Sequence, residues 1–243
     1  MKRSDKILIG ILAAGVLTLV GSVMSLKAEH DKIDFNDPFY GFSSTAVKPF
    51  SVLKIEGGKP DATGNQPGGV SGHYNSFTTM GVQAGKRFEV RVLKNSHVPF
   101  TYRSAGDTLI VRYEPAFYPG RIAPDEAFTS VPFAYIIAPG IQTILVTGAI
   151  CELAGLTTDK LTITATNARV LISQSTIGNL TTTGTSGSLL QTASANQIRT
   201  ATITSYDSTA FVAEQDVFGS VVLQHDSTAT IKVPAVLLKK ISN

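Results

Sequence analysis

A chain of 243 residues, 43% hydrophobic and 16% charged, has material for one sizeable domain with appendages or for two small ones. Its formal charge of +3 sits at the N-terminus: the first 27 residues hold Lys2, Arg3, Lys6 and Lys27 against Asp5, whereas residues 28–243 balance 17 basic with 17 acidic side chains. That balance excludes the basic face a nucleic-acid ligand requires, and the lone cysteine, Cys151, excludes an intrachain disulfide framework and reads as a buried free thiol.

Residues 7–26 (ILIGILAAGVLTLVGSVMSL) carry no charge. As a helix they cross a hydrocarbon core of about 30 Å. Basic residues precede them and Glu29, Asp31 and Asp34 follow, so the positive flank stays inside and the remainder is exported. A cleaved signal peptide is the competing expectation, with Val23-Met24-Ser25 as its nearest small-residue site. The expected division is 1–27 for a cytoplasmic stub and transmembrane anchor or signal segment, 28–47 for a tether, and 48–243 for a head domain with a C-terminal cap. Pro38 and Gly41 break any helical period in the tether, and Phe39, Tyr40 and Phe42 are expected to pack at the domain boundary.

Strand patterning starts at PFSVLKIEGG, residues 49–58. Residues 59–76 are a Gly/Pro/Asn/Ser loop with no phosphate-binding motif, and its His73 and Tyr74 are given no role. RFEVRVLK (87–94) and TLIVRY (108–113) alternate as strands, and the Gly106-Asp107 and Asn95-Ser96 connections predict locally paired strands in this half. Four prolines mark 115–132 as a second loop, with one helical turn expected at APDEAF, 123–128. FAYIIAPGIQTILVTGAICELAGL (133–156) reads as two apolar strands on which the remainder stacks.

From 161 onward the sequence repeats. LTI at 161, LTT at 180, ATI at 201 and VVL at 221 start 19, 21 and 20 residues apart, and the polar corners Asn167, Ser186, Asp207 and Asp226 follow at steps of 19, 21 and 19. Asp207-Ser208-Thr209-Ala210 returns as Asp226-Ser227-Thr228-Ala229. One such unit cannot bury its apolar face alone, so the repeat predicts stacked coils of a parallel β-solenoid. An antiparallel sandwich or a Thr/Ser-rich stalk are the alternatives, although proline is absent from 140 through 233, unlike mucin-like stalks. Threonine, fifteen times between 162 and 230, suits a solvent-facing strand or a ladder up the stack. PAVLLKKISN, 234–243, breaks the pattern as a terminal cap does.

The succession PFSVLKIEGG, FEVRVLK, GDTLIVRY, FAYIIAPGIQTILVTGA and LTITATNARVLI resembles the head domain of the "putative auto-transporter adhesin" family of exported bacterial proteins, common in the Bacteroidetes lineage. The resemblance covers roughly residues 48–233. It implies an all-β fold, a single-stranded right-handed parallel β-helix or solenoid with irregular N-terminal coils, here preceded by one transmembrane or signal helix. The chain departs from the family in its inserts at 59–76 and 115–130 and in the apolar Ile144, Leu145 and Val146. The family brings no catalytic residue with it.

The residues carry no enzyme motif either. His30, His73, His97 and His225 share no metal-ligand spacing, and no cofactor or metal site is expected. Were the chain a carbohydrate-active enzyme, its strip would be Asp207, His225 and Asp226, because stacking brings carboxylates one repeat apart to roughly 4.8 Å. Aspartates at turns chiefly accept their own backbone N–H groups, so turn chemistry is the expected role. The expected function is a noncatalytic cell-envelope interaction or adhesion-like module, with an unidentified envelope protein or glycan as partner and the membrane met through residues 7–26. A carbohydrate-active enzyme, a purely structural envelope protein and an envelope sensor are the alternatives.

Overall fold

The computed structural model describes residues 3–34, 37–58, 78–114, 128 and 131–242. It divides into two compact units, Met1–Gly41 and Phe42–Asn243. The first unit is built on α1, Arg3–His30, which runs past the expected anchor into the start of the predicted tether. Its segment Ile9–His30 has a mean hydropathy of 2.2 and the length to cross a membrane. Ile7, Leu12, Leu17 and Val20 lie on different faces at about 100° per residue and all are exposed, so the helix is apolar around its circumference rather than along one stripe. Two of its hydroxyls are satisfied internally: Thr18 Oγ1 donates to the Ala14 carbonyl at 2.8 Å and Ser22 Oγ to the Thr18 carbonyl at 2.9 Å, the pairing that suits an apolar solvent.

The second unit is all-β and largely parallel. Its first strands are β1 (Phe42–Ala46), β2 (Val52–Gly57), β3 (Thr79–Ala84), β4 (Glu89–Leu93), β5 (Phe100–Ala105) and β6 (Thr108–Tyr113). The segment from 133 supplies β7 (Ala134–Ala138), β8 (Thr143–Thr147) and β9 (Ile150–Ala154). The repeat supplies β10 (Thr157–Thr166), β11 (Arg169–Ser173), β12 (Thr176–Thr185), β13 (Leu189–Thr192), β14 (Gln197–Ser205), β15 (Ala210–Ala213), β16 (Phe218–His225) and β17 (Thr230–Lys232). A short α2 (Ala235–Leu238) and β18 (Ile241–Ser242) end the chain. These strands form two nine-stranded sheets, β1-β4-β7-β3-β9-β11-β13-β15-β17 and β18-β16-β14-β12-β10-β8-β2-β6-β5. From β8 to β17 the chain places one strand in each sheet alternately, and every pairing there is parallel. An antiparallel sandwich is thereby ruled out.

The repeat register is the one the sequence spacing predicts: Leu161 faces Leu180, Leu180 faces Ala201, and Ala201 faces Val221. Inward side chains of the two sheets make the core, with Leu53, Leu109, Ile144, Leu161 and Ile163 from one and Met80, Ile136, Cys151, Val170 and Phe211 from the other. Full burial of each large side chain contributes about 1.5–3 kcal/mol. Threonines 162, 164 and 166 take the alternate, outward positions, but Thr182 points inward between Ile163 and Ile203 with no hydrogen-bond partner for its hydroxyl.

Strand order departs from a simple stack that begins near Phe50. β2 lies between β6 and β8, and β3 between β7 and β9, so these two early strands occupy interior positions. The 133–156 segment is therefore split, with β7 on one side of β3 and β9 on the other. β5 and β6 pair locally across Gly106 (φ 60), as the Gly-Asp turn predicts. The Asn95-Ser96 connection does not make a hairpin: β4 pairs antiparallel with β1 and β7, while β5 lies in the other sheet. The exclusion has a plain cause, since β4 covers the free edge of β7.

Residues 42–46, at the end of the expected tether, form β1, and the Phe42 ring meets Tyr135 edge-on at 5.3 Å. Tyr40 is exposed. At the far end Leu237 of α2 is fully buried and β18 pairs with β16, which closes the last turn of chain. The predicted loop at 59–76 and the helical turn at 123–128 lie outside the described residues, apart from Phe128.

Candidate functional site

The strands of the repeat are not straight. Inward residues alternate until Ile177, Ile198 and Phe218, and the next inward residues are Leu180, Ala201 and Val221, three positions on rather than two. Two consecutive outward residues between them bend each strand. The ladder pairing skips the first of the two: Thr158 pairs with Ile177 and Lys160 with Asn179, leaving Asp159 and Gly178 unmatched, and the same gap recurs at Gly178–Arg199 and Arg199–Gly219. A Cβ at Gly178 would lie 2.6 Å from the Asp159 carbonyl oxygen and one at Gly219 2.5 Å from that of Arg199, so the bend brings backbone against backbone at this row. A hydroxyl and amide ladder fixes the next row: Asn179 Nδ2 donates to the Asp159 carbonyl at 3.2 Å, and Thr200 Oγ1 donates to Asn179 Oδ1 at 2.6 Å.

On the N-terminal side of the bend, β10, β12, β14 and β16 together form an open groove of about 720 Å³. It crosses four strands, a distance of roughly 14 Å at the usual strand spacing. Thr157, Thr176 and Gln197 line it with hydroxyl and amide groups, and its charges are Asp159, Arg199 and Asp216. Asp216 is neutralised by Lys240 Nζ at 2.5 Å, which also donates to the Phe218 carbonyl at 3.0 Å. Asp159 and Arg199 are exposed and have no side-chain partner among the described residues. Sequence reasoning passed over this groove, but the doubled outward step with glycine at 178 and 219 was its signal.

The strip Asp207, His225 and Asp226 forms a neighbouring pair of chain corners. Gly148, Asn167, Ser186 and Asp207 all adopt positive φ there, between 48° and 61°, a conformation that glycine and short polar residues tolerate best. The Asp226 carboxylate accepts four hydrogen bonds: Oδ2 from the Asp207 N–H at 2.9 Å, and Oδ1 from the Thr228 N–H at 2.9 Å, the Thr228 hydroxyl at 2.8 Å and the Ala229 N–H at 3.0 Å. These donors, the Asp207 N–H foremost, hold its pKa below the ordinary 3.8. His225 Nδ1 lies 3.0 Å from the carbonyl oxygen of Asp226. The geometry is that of a corner cap whose carboxylate is ionised at neutral pH. Because the folded pKa is depressed, its stabilisation is fully present above the unfolded value and lost as pH falls through the folded one. Asp226→Asn is expected to flatten the acid side of a thermal-midpoint profile below about pH 4 and to leave its slope above pH 6 unchanged.

Elsewhere, Glu56 joins Lys54 Nζ at 2.6 Å and Arg112 Nη2 at 2.5 Å on the outward face, and these partners, Lys54 first, hold its pKa down against partial burial. Cys151 is buried and desolvation pushes its thiol well up, an inert state. His30 ends α1, His97 and His225 are exposed, and His73 lies outside the described residues. Among the described residues no three His, Cys, Asp or Glu side chains gather as metal ligands.

No protein-family model matches the chain, and no curated protein matches it. Two solved structures are similar in part: a "putative adhesin" from Bacteroides fragilis, with 12% identity and a TM-score of 0.38, and a "putative lipid binding protein" from Parabacteroides distasonis, with 9% identity and a TM-score of 0.30. In each case the match covers 79% of this chain and 92% of the other. Both scores lie below the level at which a shared fold follows.

Proposed function

We propose that the chain is a noncatalytic interaction module of the cell envelope, held by the membrane through residues 7–26 and displaying residues 48–243 outside the cytoplasmic membrane. Residues 28–47 act as its tether. The head is read as a right-handed parallel β-helix with irregular N-terminal coils, supported by strands that alternate between two sheets with a register step near twenty residues. The observation that carries the reading is an apolar helix of membrane-spanning length ahead of a β unit whose regular strands present an open groove lined by hydroxyl, amide and charged groups beside apolar ones. In this reading Asp207, His225 and Asp226 are structural corners.

Protease shaving tests it. In intact cells or spheroplasts the head is expected to be cleaved while a tag on Met1 stays protected, and mass spectrometry is expected to find the uncleaved N-terminus. Washed envelope material should also co-sediment with the full chain in detergent. Protection of the head, or no retained envelope material, overturns the proposal.

A further inference from the structure

The groove is chemically particular. Its floor has glycine at 178 and 219, on the strands either side of Arg199, so the guanidinium has no side chain beside it at its own level. Two strand spacings away, roughly 9.6 Å, stands Asp159, which also has no side-chain partner among the described residues. Of its apolar side chains Ile177, Ile198 and Phe218 are at most 3% exposed, whereas Val217 is half-buried and adds apolar surface beside the polar groups. A ligand following the groove runs across the strands; at the row the ladders skip, the Asp159 and Gly178 carbonyls accept instead from Asn179 Nδ2 and Thr200 Oγ1.

We propose that this groove holds an extended glycan chain in which one carboxylated sugar is flanked by neutral ones. The proposal rests on the interaction-module reading and gives it a ligand class. Sugar hydroxyls match the hydroxyl, amide and carboxylate groups of Thr157, Thr176, Gln197 and Asp159. The planar carboxylate matches the fork of Arg199, a geometry that a lysine would not reproduce. Asp159 admits a hydroxyl donor and repels a second acid, and Asp216, already paired with Lys240, adds no net field. The four charges cancel, so a polymer acidic at every unit is disfavoured.

The test is calorimetric titration of the full chain in detergent with a xylo-oligosaccharide carrying a single glucuronate, with the same uncharged oligosaccharide, and with poly-glutamate. The glucuronate-bearing chain is expected to bind about tenfold or more tightly than the uncharged one, a margin typical of one charge-assisted bidentate contact. Arg199→Gln is expected to erase that margin, Arg199→Lys to keep only part of it, and Thr176→Trp to block both sugars. Lys232→Gln, on the other sheet, is expected to change nothing. Thermal midpoints matching the parent certify each variant as folded. Equal affinity for the two sugars, an unchanged Arg199→Gln, no sugar binding at all or a preference for poly-glutamate each overturns the assignment. Envelope material that still adheres to a chain indifferent to these sugars sinks the ligand and spares the module reading; loss of adhesion altogether sinks both.

Discussion

Replacing Gly57 by alanine is expected to destabilise the head by about 3 kcal/mol or more, at the upper end for a single substitution. Gly57 ends β2 where it passes Gly148, the corner after β8, and a Cβ there would lie 1.8 Å from the Gly148 carbonyl oxygen. The Cβ is fixed by the backbone and the oxygen belongs to it, so no rotamer change relieves the contact. Gly148 itself sits at φ 61, which fixes the corner against which Gly57 is pressed. Gly140→Ala is the control: a Cβ meets nothing within 4 Å, and the change is expected to stay within about 0.5 kcal/mol. Urea unfolding of the two variants in parallel measures the difference, and equal midpoints would refute the backbone-contact account.

Asn196→Ala is expected to cost on the order of 3 kcal/mol by leaving buried backbone groups unpaired. Asn196 is 6% exposed, and its side chain stands in for a missing ladder at a corner: Oδ1 accepts the Ser175 N–H at 2.9 Å, and Nδ2 donates to the Ile172 and Ala193 carbonyls at 2.7 and 2.8 Å. One coil back, Ser175 Oγ repeats the device by accepting the Leu156 N–H at 3.1 Å. Asn196→Asp separates the roles. Its carboxylate keeps the acceptor but faces two carbonyl oxygens, so its folded pKa rises above the unfolded value and stability falls as pH rises through it. That variant is expected to be more stable near pH 4 than at pH 7, with the parent as reference. Thermal melts at the two pH values test it, and an Asp variant insensitive to pH would count against the assigned carbonyl contacts.

The regular end of the head was legible because each unit repeats the same local choices. Leu161, Leu180, Ala201 and Val221 recur at the spacing that one strand in each sheet requires, and the register follows them. Asp226 was legible as turn chemistry for a similar reason, since a carboxylate at a corner meets N–H groups that nothing else satisfies. The placement of β2 was not. Leu53 and Ile55 fit equally well against Leu109 and Val111 or against Ile144 and Val146, and β2 in fact takes both partners. Alternation specifies the buried face of a strand and is silent about which neighbour supplies its edge. The groove escaped notice because attention to period two treats the doubled outward step at Gly178-Asn179 as noise, whereas it marks the bend.

The interior position of β2 and β3 bears on how the chain is made. These strands are the second and third to emerge, yet their four parallel partners, β6, β7, β8 and β9, are encoded between residues 108 and 154. Both edges of these two early strands therefore stay open until residues 108–154 have been synthesised. Later strands face no such wait, because each from β10 onward docks on one already in place. Assembly is out of order at its start and sequential at its finish, and the period of greatest exposure to wrong strand pairing falls before residue 154 is made.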